Sequence, residues 1–110
     1  MTQLSAYRIL WIQVLFDLPT NTKKERKAAS DFRNALLDLG FQMAQFSVYQ
    51  RFCASKELSE KYTKKIEKCV PESGKVHILT FTDKQYESII TFNGKKEKSN
   101  PKNPEQYELF

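Results

Sequence analysis

The chain has little cysteine, histidine or glycine: two, one and three residues in 110. Cys53 and Cys69 lie in no C-x-x-C motif, and with His77 as the lone histidine they suggest neither a zinc site nor a disulfide framework. Both thiols are expected to be half-buried core residues of a reduced, cytoplasmic protein. The glycines build no phosphate-cradling loop. Ser47 and Tyr49 bring hydroxyls, but neither has a base beside it in sequence, so no nucleophile is assigned. The apolar run Ile9 to Phe16 is interrupted by Gln13 and falls far short of the roughly 20 residues a membrane helix needs. It reads as a buried strand rather than an anchor or signal peptide, and no membrane partner is expected.

Positive charge is what the chain does have. Lysine and arginine outnumber aspartate and glutamate by 18 to 13, a net charge of +5. That balance favours a polyanionic partner such as nucleic acid, although a solvated lysine surface has the same composition. At this length one domain with a modest core is expected, and no internal repeat is apparent.

Tyr7 to Phe16 is almost continuously apolar and fits a central strand, which Asp17-Leu18-Pro19 stops because proline lacks a backbone donor and pushes Leu18 toward extended geometry. Thr22-Lys23-Lys24-Glu25 has capping-box spacing and should open a helix. Ala28, Ala29, Phe32, Ala35, Leu36 and Leu39 continue it at helical spacing, and Gly40 suits a left-handed C-cap. From Phe41 to Phe52 the apolar residues alternate but change phase, so a bulge or tight reversal is expected near Gln45 to Ser47.

Ser55 can cap a second helix with an apolar stripe of Leu58, Tyr62, Ile66 and Val70, its lysines wet, ended by Pro71. Lys75 to Thr82 alternates as a strand. A further strand, Ile89 to Phe92, precedes the turn signal Asn93-Gly94. The order predicts an α+β protein, a ferredoxin-like β-α-β-β-α-β sandwich with helices on one face. The expected organisation is a domain over 1–92, a polar linker over 93–104, and a C-terminal extension strand over 105–110 that sets Tyr107, Leu109 and Phe110 against a sheet edge.

Asp17, where the first strand ends, is placed to hold a hard cation such as Mg²⁺, or to make an Asx-type turn before Leu18-Pro19. One carboxylate is too few for metal-assisted phosphodiester hydrolysis, so a hydrolytic role for Asp17 requires a twofold dimer that supplies a second one. Lys23, Lys24, Arg26 and Lys27 crowd the first turns of a helix, where the dipole disfavours cations by some tenths of a kcal/mol each. Phosphate binding would offset that cost, and a solvated basic patch is the other reading.

Phe16-Asp17-Leu18-Pro19, Lys23-Lys24-Glu25-Arg26-Lys27, Gly40-Phe41 and Gln45-Phe46-Ser47-Val48-Tyr49 together resemble, in order, the small CRISPR-associated adaptation protein family, the second of the two core spacer-acquisition proteins. The Phe16-Asp17-Leu18-Pro19 opening, the stretch from Gly74-Lys75 to Thr82-Asp83-Lys84-Gln85 and the apolar C-terminal end look more like the version found beside a single-effector (type II) nuclease. The resemblance implies a homodimer that bridges two dimers of the CRISPR integrase along a protospacer duplex, with RNA as a further candidate ligand. It also implies that Asp17 is the family's proposed Mg²⁺ ligand and catalytic residue. Three functions follow as expectations: a DNA-holding adaptor in spacer acquisition, a Mg²⁺-dependent endonuclease on single-stranded RNA or duplex DNA, and a toxin-like RNA-binding module of the same fold.

Overall fold

The computed structural model describes residues 10–98. Strand β1 (Leu10–Asp17) leads to helix α1 (Lys23–Asp38), a hairpin of β2 (Gln42–Gln45) and β3 (Val48–Cys53), helix α2 (Lys56–Glu67) and strand β4 (Lys75–Thr82). A short helix α3 (Asp83–Glu87) and a small hairpin of β5 (Thr91–Asn93) and β6 (Lys96–Lys98) follow. The four long strands form one antiparallel sheet in the order β2-β3-β1-β4. β1 and β2, joined through α1, therefore enclose β3 between them, which is the ferredoxin-like arrangement expected from the element order.

Period-two alternation decides the layers. Ile12 and Val14 of β1, Tyr49 and Cys53 of β3, Phe32 and Leu36 of α1 and Ile66 of α2 form one buried cluster. Burying each large apolar side chain there contributes about 1.5–3 kcal/mol. The opposite sheet face carries Trp11, Gln13 and Leu15, and among the described residues no long helix lies over it.

Local chemistry sets the boundaries of α1. The Glu25 backbone N–H donates to Thr22 Oγ1 at 3.1 Å, and the Thr22 N–H donates to the Glu25 carboxylate at 2.9 Å, so the capping box is complete. At the other end Gly40 takes φ +88°, with Gly40 N–H donating to Leu37 O and Phe41 N–H to Leu36 O, a Schellman closure that drops Phe41 into the core. The phase change between Phe41 and Phe52 is the β2–β3 turn, with a register shift between Met43 and Gln45 and Ser47 at φ +64°.

Several expectations are corrected. Ser55 caps α2, but the helix buries Ser59 and Ile66, while Leu58 and Val70 are exposed, so the apolar stripe does not run through them. The small Ser59 side chain lets α2 approach the sheet on that line. The helix ends at Glu67 with Lys68 as its C-cap, ahead of Pro71. Ile89 and Ile90 are not strand residues. β5 starts at Thr91 and pairs with β6, which occupies part of the stretch read as a linker. The expected edge strand at 105–110 lies outside the described residues.

Cys53 is buried, whereas Cys69 is exposed just beyond α2. Burial raises the Cys53 thiol above its ordinary value, and the neighbouring Arg51 cation offsets this only in part. A raised pKa leaves less thiolate at neutral pH, so Cys69 should alkylate readily in the native protein and Cys53 only after unfolding. Mass-spectrometric labelling with and without denaturant checks this, and equal native labelling of both would refute it.

Candidate nucleic-acid interface

Asp17 ends β1 opposite Lys75 of β4 and is exposed. By alternation it shares the helix-free face with Leu15 and Gln13. Two turns gather at this end of the sheet. Phe16 N–H donates to Ser47 O at 3.1 Å, tying β1 to the β2–β3 turn, whose Phe46 is 87% exposed. Gly74 packs so closely on the Asp17 carbonyl, Leu18 and Pro19 that a Cβ there would lie 2.7–3.0 Å from them, and its φ of +99° also favours glycine.

The basic residues sit on the other side of the same end. Lys23, Lys24, Arg26 and Lys27 are all exposed in the first turns of α1, which packs on the Ile12 and Val14 face. The structure thus brings Asp17 and the α1 cations to one end of the domain but on opposite faces of the sheet. The four cations are also not equivalent. Arg26 Nη1 donates to the carbonyls of Thr20 at 3.1 Å and Asn21 at 3.4 Å, bracing the loop that leads into the helix. Lys27 pairs with Asp31 at 2.9 Å, an exposed contact worth about 0.3–0.5 kcal/mol that a phosphate could displace. Lys23 and Lys24 make no ion pair among the described residues.

For a cation, the arrangement offers one carboxylate. Among the described residues no group of three or more His, Cys, Asp or Glu side chains is placed to hold a metal ion. Beyond the described residues, a second Asp17 across a twofold axis or nucleic-acid phosphates could complete an oxygen-ligand set around Asp17.

Two features of the sheet faces were not read from the sequence. On the helix-free face, α3 folds over one end: the Tyr86 ring stacks on Trp11 at 3.9 Å, Trp11 Nε1 donates to Asp83 Oδ1 at 2.9 Å, and Gln50 Nε2 donates to the Tyr86 hydroxyl at 3.1 Å. Its signal was present as Thr82-x-x-Gln85, a second capping box that closes in the structure. The rest of that face leaves Leu79 and Phe52 about half exposed, with Ile90 and Phe92 exposed in the chain that follows α3. On the helical face, the Arg51 guanidinium lies 4.3 Å from the centre of the Tyr62 ring and donates to Leu39 O at 2.6 Å. A Cβ at Gly40 would overlap this guanidinium, so glycine there serves the clamp as well as the helix end. Arg51 was invisible in sequence because its partners lie at the end of α1 and on α2, brought beside β3 only by the fold.

No helix among the described residues is long and apolar enough to cross a membrane. The family described as "CRISPR associated protein Cas2" matches residues 10–89. A protein named CRISPR-associated endoribonuclease Cas2 from Paracidovorax avenae is 54% identical over 107 residues, covering 97% of this chain and 99% of its own length. Proteins of the same name from Flavobacterium psychrophilum and Parvibaculum lavamentivorans are 54% and 46% identical, covering 99% and 92% of this chain and 95% and 100% of their own lengths. With matches of that extent on a ferredoxin-like sheet, this chain belongs to the Cas2 family of CRISPR-associated proteins.

Proposed function

We propose that this chain acts in the cytoplasm, in CRISPR spacer acquisition, as a homodimeric adaptor that holds duplex DNA and bridges two dimers of the CRISPR integrase. The observation that carries this reading is the start of α1, where Lys23 and Lys24 are exposed and, among the described residues, form no ion pair at the helix end least favourable to cations. A phosphate at that position would meet both the lysines and the positive end of the helix dipole. The helix-free sheet face supports the dimer, because half-exposed Leu79 and Phe52 beside Leu15 and Val48 form an apolar surface that a twofold copy could cover with itself.

The second reading is a Mg²⁺-dependent endonuclease on RNA or duplex DNA: the relatives' name, CRISPR-associated endoribonuclease, favours nuclease action on RNA, and the exposed Asp17 at the end of β1 offers the carboxylate for a metal. A twofold pairing of the helix-free faces would put both Asp17 carboxylates on the shared surface, and the exposed Phe46 ring at that end offers a stacking platform for an unpaired base. Asp17 would hold the Mg²⁺, which when bound supplies charge stabilisation and an activated water.

A salt series tests the adaptor reading. If Lys23 and Lys24 each touch a phosphate, a dimer neutralises about four through them, and at roughly −0.9 per phosphate they contribute about −3.6 to the log-log slope of duplex binding. Lys23→Ala with Lys24→Ala should flatten the slope by up to that amount and weaken binding equally for unrelated sequences, since phosphate contacts carry no base information. An unchanged slope would remove the start of α1 from the DNA path.

A further inference from the structure

Phe46 is 87% exposed, the most of any large apolar side chain among the described residues. Its turn does not call for an aromatic. Gln45 pairs with Val48, so Phe46 and Ser47 are the two central residues of a tight reversal, positions that glycine, proline, asparagine or aspartate fill most readily. A lone apolar residue in water is still ordinary. What sets Phe46 apart is its neighbours.

Phe16 N–H donates to Ser47 O at 3.1 Å, so one further residue along each chain sets Phe46 beside Asp17. On its other side Asp17 stands directly opposite Lys75 of β4. Phe46, Asp17 and Lys75 thus form a row across the end of the sheet, and all three are exposed. Directly opposed residues of an antiparallel pair have Cβ atoms about 4.5–5.5 Å apart, yet among the described residues Asp17 and Lys75 form no ion pair. The ammonium is left for an outside anion and the carboxylate for a cation. Glu25 and Glu72, the acidic residues near this end in sequence, line the cleft between α1 and the loop beyond α2.

The ring is also set apart from the exposed apolar side chains of the helix-free sheet face. Phe52 and Leu79 stand opposite Trp11 and Gln13, at about 20 and 13 Å along β1 from Asp17 at 3.3 Å per residue. An aromatic among polar and charged neighbours suits a base better than a packed protein surface. We infer that Phe46 and Lys75 are substrate-positioning residues on either side of Asp17, Phe46 stacking on an unpaired base and Lys75 pairing with a backbone phosphate. Together they select an unpaired strand, because a base inside a duplex has both faces covered. This rests on the nuclease reading for what Asp17 does, and names what brings the strand to it.

The test is binding by the full chain, in EDTA so that nothing is cut, of a short unstructured RNA and of a duplex, each followed by fluorescence anisotropy. Phe46→Ala should weaken the unpaired strand by about 5- to 150-fold, the range for losing one base–aromatic stack, and leave the duplex unchanged. Phe46→Trp should keep the affinity. Phe46→Leu, apolar but without a π face, should lose it as alanine does. Lys75→Ala should flatten the salt slope of the unpaired strand by about 0.7, for one phosphate at each site. Circular dichroism and sedimentation follow the fold and oligomeric state of each variant.

No binding of the unpaired strand by the unmodified chain, or unchanged affinity in Phe46→Ala, would overturn the inference. Equal losses on strand and duplex, or Phe46→Leu that binds as well as Phe46→Trp, would also overturn it. So would a change of oligomeric state in Phe46→Ala, which would make the ring a contact between subunits. An unchanged slope in Lys75→Ala would overturn the paired arrangement. The nuclease reading fails separately. RNA left uncut when Mg²⁺ is restored defeats that reading and leaves the strand site standing, whereas limiting RNA cut as fast by Phe46→Ala as by the unmodified chain overturns the inference and leaves the nuclease reading in place.

Discussion

Asp17→Ala is expected to lower any Mg²⁺-dependent cleavage of RNA or DNA by on the order of 100-fold or more, because a metal's share of transition-state stabilisation is several kcal/mol and each 1.36 kcal/mol is tenfold in rate. The same variant should leave duplex binding and spacer integration largely intact. The physical reason is position. Asp17 is exposed on the helix-free face, away from the lysines of α1, and a carboxylate repels phosphate rather than holding it. Cleavage on one substrate and integration in a reconstituted integrase reaction are measured side by side. Integration that falls in step with cleavage, in a variant still folded and dimeric, would defeat the adaptor reading and leave the nuclease reading in its place.

Leu79→Asp should dissociate the proposed dimer. Leu79 lies opposite Gln13 on the helix-free face and is 46% exposed, so the substitution disturbs no packed interior. A twofold interface loses the residue twice. With under half of each leucine left to bury, at about 1.5–3 kcal/mol for a whole side chain, the loss is roughly 1.4–2.8 kcal/mol, or about 10 to 10² in the dimer dissociation constant, before the cost of burying two carboxylates. Light scattering or sedimentation at micromolar concentration should read a monomer with unchanged circular dichroism. An intact dimer would place the interface on another surface, and with it the question of whether two Asp17 side chains ever meet.

The parts of this fold that were legible in sequence are those with local causes. Thr22 and Glu25 close the capping box that they spell out, Gly40 takes the left-handed conformation its position calls for, and Lys75 to Thr82 alternates and is a strand over that span. The β2–β3 reversal could be placed because a change of phase in a period-two pattern has only local remedies. What was missed depends on neighbours distant in sequence. Leu58 fits an apolar stripe as well as Ser59 does not, yet the sheet beneath α2 accepts the serine and leaves the leucine at 39% exposure.

Cys69 looked equivalent to Cys53 because a cysteine's type does not report the face on which it falls. α3 carried a readable cap at Thr82 but is held by Trp11 and Gln50, whose positions only the assembled sheet fixes. At the candidate site the same division holds. Asp17 and the α1 cations are where the strand end and the helix cap put them, whereas the use of Arg26 and Lys27 by Thr20, Asn21 and Asp31 needed coordinates.

Placing the first strand at the centre of the sheet has a consequence for how the chain is made. β1 pairs with β4 between Leu10 and Thr82 at one end and between Asp17 and Lys75 at the other, so partners are 58 to 72 residues apart. Loops of that length must close before the pairing returns any free energy, and contacts of high sequence separation slow folding. On the ribosome, β1, α1 and the β2–β3 hairpin emerge first and can associate, but one edge of β1 then stays open until residues 75–82 have cleared the exit tunnel. An open apolar edge is a template for pairing with another chain. A chain that ended before Lys75 would leave that edge of β1 unpaired and open to a second chain.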